Sequence, residues 1–228
     1  MRYSRNLQLD GFDESSQERI RQAKVAIVGA GALGQVAAMY LAGSGVGHLR
    51  IADFDTIDLS NLQRQVFFSE EEVGQRKVEV LASRIKALNS DVSVDMFGGL
   101  VTRRNAGEFL EGCDVVAECS DNPSTKRFVV EEAAKAGIPV VTGGVREFTG
   151  QLAVFRPDSP VYTDIFPEPE CSGILPCSLS GVFGPVPGIV GCMQASEILK
   201  LLTGIGATME HTLLTFDLRD MNFRKFTF

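Results

Sequence analysis

Two cations, Arg64 and Lys77, are the side chains that the sequence places best for binding phosphate groups. Arg64 stands in the block Asn-Leu-Gln-Arg-Gln at positions 61–65, and its planar guanidinium can hold two phosphate oxygens at once. Lys77 adds a compact positive charge. Both closely follow an acidic strand end, where a dehydrogenase has no use for them. The sequence therefore favours ATP chemistry over hydride transfer.

A glycine-rich turn precedes these cations. The apolar run Val25–Val28 leads into Gly-Ala-Gly-Ala-Leu-Gly at positions 29–34, and a helical pattern follows. About 20 residues further on, a second strand ends in Asp53 and Asp55, which is the spacing of a ribose-binding acid in a nucleotide fold. Glycines at positions 29 and 31 would let the backbone approach the nucleotide closely.

Strands and helices alternate in the pattern that must position these residues. Predicted helices span 70–89, 105–111, 124–136 and 188–203, and predicted strands span 91–97, 113–119, 138–142, 150–155 and 213–217. The alternation predicts a Rossmann-like α/β fold, with a doubly wound, mostly parallel sheet and C-terminal antiparallel strands. Residues 156–187 are rich in Pro, Gly and Ser, which predicts a long, irregular crossover loop.

The carboxyl ends of parallel strands meet at one edge of such a sheet, where ligands bind. Asp53, Asp55, Asp121 and Asn122 all follow predicted strands, and so does the glycine turn. We therefore expect these separate pieces of sequence to converge on one crevice.

Composition argues against several classes of protein. The chain has 228 residues, of which 44% are hydrophobic and 22% charged, as in ordinary globular domains. The net charge of −7 argues against a nucleic-acid partner, because phosphate binding needs a basic surface. Residues 25–47 are uncharged, but six glycines divide them, so no membrane span is expected. Five cysteines without a Cys-x-x-Cys pair, and an N-terminus without a signal-peptide pattern, favour the reducing cytoplasm.

Together these motifs resemble the ThiF/MoeB/HesA family, the bacterial relatives of ubiquitin-activating enzymes. The matching segments lie, in order, at 2–5, 29–34, 53–55, 60–65, 74–77, 120–122, 181–188 and 194–197. The Asn-Leu-Gln-Arg-Gln block is the specific element, because a glycine turn alone is a weak signal. The resemblance spans nearly the whole chain and is closest in kind to ThiF.

The resemblance implies an adenylyltransferase, a nucleotidyltransferase that uses ATP and Mg²⁺. Such an enzyme adenylates the C-terminal Gly-Gly carboxylate of a ubiquitin-like sulfur carrier protein and releases pyrophosphate. Sulfur from a separate donor protein then attacks the acyl-adenylate. A ThiS-like carrier of thiamine thiazole biosynthesis is favoured over the MoeB-type alternative, the molybdopterin synthase small subunit. A peptide or amino-acid carboxylate is a third substrate class.

The resemblance also assigns the site residues. The nucleotide-binding set is Gly29, Gly31, Ala32, Asp53, Asp55, Asn61, Leu62, Gln63, Arg64, Gln65, Lys77, Ser120, Asp121 and Asn122. Asp121 would hold Mg²⁺, with a helix N-cap as its alternative role. Asp53 would bind the ribose hydroxyls, whereas a structural turn is the alternative for Asp55. Ala32 stands where the family usually has glycine, and its small methyl group should leave the backbone contact intact.

The expected catalytic residues are Arg5, Arg64, Lys77, Asp121 and Cys177. Arg5 would reach into the neighbouring subunit's site, so a homodimer is expected; the alternative is an ordinary surface arginine. Cys177 would form a persulfide or thioester link with the carrier; the alternative is an unreactive loop cysteine. Cys171 could resolve such a link. The other three cysteines, at 113, 119 and 192, lie in apolar elements and are expected in the core.

A single adenylation domain is expected, in three parts. Residues 1–22 would form an N-terminal arm or helix, 24–144 the nucleotide-binding core, and 145–228 the carrier-binding part, with a mobile loop at about 156–180. Most relatives hold a structural zinc between two Cys-x-x-Cys pairs, but Val161 and Asp164 stand where the first pair would lie. No structural zinc is therefore expected.

Two functions from other classes compete with this interpretation. A nicotinamide-dependent oxidoreductase would use the glycine turn and Asp53, but it gives no role to Arg64, Lys77 or Asp121. A non-catalytic scaffold that binds a ubiquitin-like protein would not need these three residues intact.

Overall fold

The computed structural model describes residues 2–158, 162–166 and 181–228. Its strands are β1 Lys24–Val28, β2 His48–Ala52, β3 Ser93–Phe97, β4 Val115–Glu118, β5 Val140–Arg146, β6 Thr149–Phe155, β7 Thr212–Asp217 and β8 Asn222–Thr227. They form one eight-stranded sheet in the order β3-β2-β1-β4-β5-β6-β7-β8. The first five strands in this order pair in parallel, and the last three join antiparallel. The predicted mostly parallel sheet with antiparallel C-terminal strands is therefore confirmed.

Helices cover both faces of the parallel part. They are α1 Glu14–Gln22, α2 Gly34–Ser44, α3 Lys77–Leu88, α4 Ala106–Leu110, α5 Pro123–Lys135, α6 Tyr162–Ile165 and α7 Pro185–Thr203, with 3₁₀ turns at Asn6–Gln8, Leu59–Asn61 and Glu70–Glu72. No helix among the described residues is long and apolar enough to cross a membrane.

The alternation of side chains along β1 explains the two apolar layers. Val25 and Ile27 face a core formed with α1, α2, α3 and α7, whereas Ala26 and Val28 face a second core formed with α4, α5 and α6. Successive side chains of a strand point to opposite faces, so a strand covered on both sides must be apolar throughout. The uncharged run that begins at Val25 is therefore a buried strand followed by a buried helix.

The strand order places a crevice between β1 and β4. The chain builds β1, β2 and β3 outward in one direction and then crosses back to add β4 and β5 on the other side of β1. Ligands of such sheets bind at this switch point, beyond the carboxyl ends of the strands. Here β1 ends at Val28 and β4 ends at Glu118, so the glycine turn and the segment Ser120–Asn122 meet at the same edge.

The single helix predicted over 70–89 is wrong. A 3₁₀ turn at Glu70–Glu72 is followed by Gly74 with φ of +89°, and α3 begins only at Lys77. A residue with positive φ cannot continue a right-handed helix, so the chain turns before it restarts. The break sets Lys77 at the first position of α3.

The irregular loop predicted over 156–187 is also partly wrong. Helix α6 lies within it, and the buried ring of Tyr162 packs against Phe155 with centroids 5.8 Å apart. Helix α7 starts at Pro185 rather than at 188, because proline is well suited to a first helical turn. The remainder of the predicted loop, 159–161 and 167–180, lies outside the described residues.

Strand β8 was missed. All six of its residues are exposed, and it pairs only with β7 at the edge of the sheet. Its sequence, Asn-Phe-Arg-Lys-Phe-Thr, carries neither an apolar run nor a strict alternation. Pairing with a neighbour, which no local pattern announces, makes this segment a strand.

Candidate nucleotide site

The glycine turn is packed so closely that side chains are excluded at two positions. A Cβ added at Gly34 would lie 1.8 Å from the carbonyl oxygen of Gly29. Gly29 itself has φ of +96°, and a Cβ there would lie 3.0 Å from the carbonyl oxygen of Cys119. At Gly31, in contrast, an added Cβ would meet only the side chain of Gln65 at 3.7 Å. Close packing therefore explains why positions 29 and 34 are glycine. It does not explain Gly31, where a side chain would fit. Ala32 is half-buried against the core that β1 forms with α1, α2, α3 and α7.

Asp53 connects the glycine turn to the end of β2. Its Oδ2 accepts a hydrogen bond from the backbone N–H of Ala30 at 2.7 Å, and its Oδ1 accepts one from the N–H of Asp55 at 2.8 Å. Burial raises the pKa of Asp53 above its ordinary value, while these donors and the nearby Lys77 ammonium act to lower it. A carboxylate has about four acceptor positions, so Asp53 can still accept from ribose hydroxyls.

Lys77 lies buried beside this carboxylate. Its side chain is only 7% exposed, its Nζ lies 2.8 Å from Oδ2 of Asp55, and its backbone N–H donates to the carbonyl of Asp55 at 3.1 Å. The structure thus brings Lys77 to the end of β2, beside Asp55. Asp55 is therefore the ion-pair partner of Lys77.

The block 58–65 holds itself in a compact turn. Asp58 Oδ1 accepts from the N–H of Ser60 at 2.8 Å, and Asn61 Oδ1 accepts from the N–H of Asp58 at 3.4 Å. Arg64 Nη1 donates to the carbonyl of Ser60 at 3.0 Å, so one of its five N–H groups fixes the loop. The rest of the guanidinium is available for other acceptors.

Leu62 and Gln63 connect the block 58–65 to other parts of the molecule. Leu62 packs against the core that β1 forms with α1, α2, α3 and α7, and Gln63 Nε2 donates to the carbonyl of Val182 at 3.4 Å. A Cβ added at Gly184 would lie 2.5 Å from the carbonyl oxygen of Gln63. The segment that leads into α7 is therefore packed directly on the predicted phosphate-binding block.

Gln65 carries a buried acceptor without a partner. The residue is 4% exposed, and its Oε1 has no hydrogen-bond partner among the described residues. Gln35 was not predicted, although it is the first polar side chain in an otherwise apolar helix, a signal that could have identified it. Its Oε1 accepts from the N–H of Phe67 at 2.9 Å, while its buried Nε2 is unpartnered within the described chain. Buried polar atoms are usually hydrogen-bonded, so these two are candidate contacts for a ligand or an ordered water.

The segment after β4 separates two roles that the sequence could not separate. Asn122 caps α5, because its Oδ1 accepts from the N–H groups of Ser124 at 2.9 Å and Thr125 at 3.3 Å. The N-cap alternative for Asp121 is therefore wrong. Asp121 is exposed, and its carboxylate makes no hydrogen bond to any residue that the structure describes.

The donor chemistry of this edge fits Mg²⁺. Magnesium prefers oxygen ligands, and it is usually held by one or two carboxylates together with substrate phosphates and water. The described residues contain no group of three or more His, Cys, Asp or Glu that could hold a metal by themselves. Asp121, an uncommitted carboxylate at the carboxyl end of β4, fits a magnesium ion that arrives with nucleotide phosphates.

Arg5 is not brought to the crevice of its own chain. It precedes the turn Asn6–Gln8 and its Nη1 donates to Gln8 Oε1 at 3.1 Å. The neighbouring Tyr3 packs on Gly45 at the far end of α2, and its hydroxyl accepts from Asn89 Nδ2 at 2.8 Å. Since α2 starts at the glycine turn and rises about 1.5 Å per residue, its 11 residues separate the two ends by roughly 16 Å.

The cysteines divide into three groups. Cys113 and Cys119 are buried, as expected, and burial raises the pKa of both thiols. Cys192 was expected in the core, but it is exposed and lines a groove between α1, α2 and α7. Cys177 and Cys171 lie outside the described residues, as does Val161, and Asp164 belongs to α6.

Curated relatives match the chain over nearly its whole length. It is 41% identical over 223 residues to the SAMP-activating enzyme E1 of Haloferax volcanii, covering 97% of this chain and 83% of that protein. It is 39% identical over 233 residues to the sulfur carrier protein adenylyltransferase of Thermus thermophilus, covering 99% and 86%. A probable molybdopterin-synthase adenylyltransferase of Gracilaria tenuistipitata is 36% identical over 227 residues, covering 99% and 64%.

The fold and the family model agree with these matches. The crystal structure of E. coli MccB with ATP aligns with a TM-score of 0.86 at 23% identity, covering all of this chain and 70% of that one. The model of the ThiF family matches residues 3–228. The chain therefore belongs to the ThiF family.

Proposed function

We propose that this ThiF-family adenylyltransferase uses MgATP to activate the C-terminal Gly-Gly carboxylate of a ubiquitin-like sulfur carrier protein. The observation that carries the proposal is a chain of direct contacts: Asp53 accepts from Ala30 of the glycine turn and from the N–H of Asp55, and the Asp55 carboxylate pairs with Lys77. The names of the relatives, which include a sulfur carrier protein adenylyltransferase, supply the substrate class.

The residues divide the work of holding the nucleotide. Asp53 accepts hydrogen bonds from the ribose, and the open backbone at Gly31 lets the nucleotide approach the turn. Gln65 offers its unpartnered oxygen to a donor on the ligand. Arg64 and Lys77 bind phosphate oxygens, and their charges offset the repulsion between the carrier carboxylate and the phosphates. Asn61, Leu62, Gln63, Ser120 and Asn122 keep these groups in place.

The chemical step is an in-line displacement at the α-phosphorus. An oxygen of the carrier carboxylate forms the new bond to phosphorus, the bond to the bridging α–β oxygen breaks, and pyrophosphate leaves with its electron pair. Asp121 would hold Mg²⁺, which supplies charge neutralisation at the phosphates when bound. Arg64 and Lys77 stabilise the negative charge that develops on the same oxygens.

The acyl-adenylate is then open to attack by sulfur from a separate donor protein. Cys177 is proposed to accept the activated carrier or to carry the sulfur, as a thioester or persulfide. Its replacement, Cys177→Ser, should leave pyrophosphate release intact and abolish thiocarboxylate formation. Loss of pyrophosphate release in this variant would contradict that assignment.

A ThiS-like carrier of thiamine thiazole biosynthesis is the proposed partner, with the molybdopterin synthase small subunit as the alternative. The similarity to a probable molybdopterin-synthase adenylyltransferase favours this alternative specifically. Both carriers present the same Gly-Gly carboxylate, so the carrier surface has to discriminate between them.

The test is pyrophosphate release from MgATP, with each purified carrier offered separately. The proposal expects turnover with one carrier, loss of turnover in Asp121→Ala, and normal turnover in the control Asp91→Ala, which removes an exposed carboxylate just before β3. Turnover with only the molybdopterin carrier would reassign the pathway. ATP binding without turnover on any carrier would contradict the proposed substrate class.

A homodimer with Arg5 acting in the partner's site is also proposed. An apolar groove of about 390 Å³ lies between α1, α2 and α7, beside the turn that carries Arg5. Leu9 and Tyr40, which line it, are 59% and 56% exposed, so the groove carries apolar surface that faces solvent. A second copy seated on this groove would cover these side chains and bring Arg5 to another subunit.

A further inference from the structure

A buried ion pair lies directly behind the Ser120–Asn122 segment. Glu118, the last residue of β4, is fully buried, and its Oε2 lies 2.5 Å from Nζ of Lys126 on α5, which is 7% exposed. The same ammonium donates to the carbonyl of Gly143 on β5 at 2.6 Å. One lysine therefore connects the end of β4 and the middle of β5 with the first turn of α5.

The other oxygen of Glu118 holds the chain next to Asp121. Its Oε1 accepts from the backbone N–H of Ser120 at 3.1 Å and also from the Ser120 hydroxyl. On the opposite side, Gln194 of α7 donates to the carbonyl of Glu118 at 2.9 Å. Every polar atom of the Glu118 side chain is thus bonded, and the segment that begins with Ser120 starts from a fixed point.

Stability alone is a weak reason for such a pair. Removing two charges from water is costly, and well-packed apolar residues often stabilise a protein as much as a buried ion pair does. The pair instead fixes the orientation of the chain after β4, because both oxygens of Glu118 and the ammonium of Lys126 are hydrogen-bonded to specific partners. Polar partners just behind a metal ligand commonly fix its orientation.

We propose that the Glu118–Lys126 pair is a positioning device that aims Asp121 at the magnesium of bound MgATP. The inference rests on the proposed function in so far as Asp121 is the residue that meets the metal. Neither Glu118 nor Lys126 touches the nucleotide; both act through the Ser120 backbone and the start of α5.

The test is calorimetric titration of ATP at increasing Mg²⁺ concentrations, which needs no turnover. The variant Glu118→Leu/Lys126→Met removes both charges together, so that no buried ion is left unpaired. The Mg²⁺ concentration that gives half of the maximal ATP affinity should rise roughly 10- to 100-fold, while ATP binding without Mg²⁺ stays unchanged. The conservative Lys126→Arg variant should stay near wild type.

A second ion pair with a buried carboxylate provides a control on the same chain, although its lysine is 26% exposed. Glu197 is buried on α7, where it pairs with Lys200 and accepts from the N–H of Met209 at 2.8 Å. The variant Glu197→Leu/Lys200→Met should lose thermal stability without any change in Mg²⁺ dependence. An equal shift in both double variants would overturn the positioning role, and so would wild-type Mg²⁺ dependence in the Glu118 variant.

Two further measurements keep the two proposals distinguishable. If the double variant fails to fold, Glu118→Gln/Lys126→Met removes both charges with a smaller change of side-chain volume, and unchanged Mg²⁺ dependence there would overturn the positioning role. Wild-type protein whose ATP binding ignores Mg²⁺ would overturn it as well. Wild-type protein that binds MgATP in a Mg²⁺-dependent way but releases no pyrophosphate with any carrier would contradict only the proposed function.

Discussion

At the scale of single residues, the charged groups of the crevice differ in how firmly other residues hold them. Lys77 is buried and already paired with Asp55, so its charge is held in position before any ligand arrives. Arg64 is tied to its own loop through one nitrogen. Pre-positioned charges of this kind cost little reorganisation when charge develops on a substrate. Asp121 differs, because it is exposed and makes no hydrogen bond to any described residue.

Asp53 gives the first prediction at this scale. A ribose-binding carboxylate has to be ionised, and burial raises its pKa above the ordinary value. ATP affinity should therefore decline on acidification at a higher pH than an ordinary aspartate would produce, as the pH falls through the raised pKa. Fluorescence titration with a nucleotide analogue at a series of pH values measures this acid limb of the affinity profile. The Asp53→Asn variant should bind the nucleotide weakly and should lack the acid limb. An unchanged acid limb in that variant would assign the titration to another group.

Asn122 and Asp121 give the second prediction, because the structure assigns them different work. Asn122→Ala should lower the free energy of unfolding by about 1 kcal/mol through loss of the α5 cap. Asn122→Asp should retain that stability, since its carboxylate can accept the same two N–H groups. Asp121→Ala should leave stability unchanged and abolish pyrophosphate release. Urea unfolding measures the first effect, and a stability loss in Asp121→Ala would contradict the division of roles.

At the scale of elements, different glycines of the turn between β1 and α2 are expected to be needed for folding and for ATP binding. Gly34→Ala should prevent normal folding, since its Cβ would lie 1.8 Å from a backbone oxygen. Gly31→Ala should fold normally, because its Cβ would make only an ordinary contact, yet it should weaken ATP binding where the nucleotide approaches the backbone. Thermal melting and calorimetry of both variants test this. Normal ATP affinity in Gly31→Ala would show that the nucleotide does not approach the turn there.

At the scale of the whole molecule, the distance between Arg5 and its own crevice requires a partner if Arg5 is catalytic. Arg5→Ala and Asp121→Ala should each be inactive alone. Mixing them under conditions that exchange subunits should restore about a quarter of wild-type turnover, because half of the dimers would be mixed and each would contain one complete site. No recovery in a mixture shown to contain mixed dimers would place Arg5 outside the partner's site.

The sequence by itself determined the kind of fold and most of the crevice. Apolar runs, the glycine turn and polar residues after each strand are local patterns, and parallel strands necessarily bring their carboxyl ends together. These patterns predict that Asp53, Asp55, Asp121 and Asn122 lie at one edge of the sheet. The specific block at 61–65 then indicated the family.

Only the tertiary structure decided what each polar residue bonds to. Three features depend on contacts or backbone angles that the neighbouring residues do not specify. They are the capping of α5 by Asn122 rather than Asp121, the break before Lys77, and the edge strand β8. The Glu118–Lys126 pair joins residues eight positions apart with Gly143 on another strand. Such a network forms only when the sheet and α5 have packed, since partners distant in sequence have no local signature.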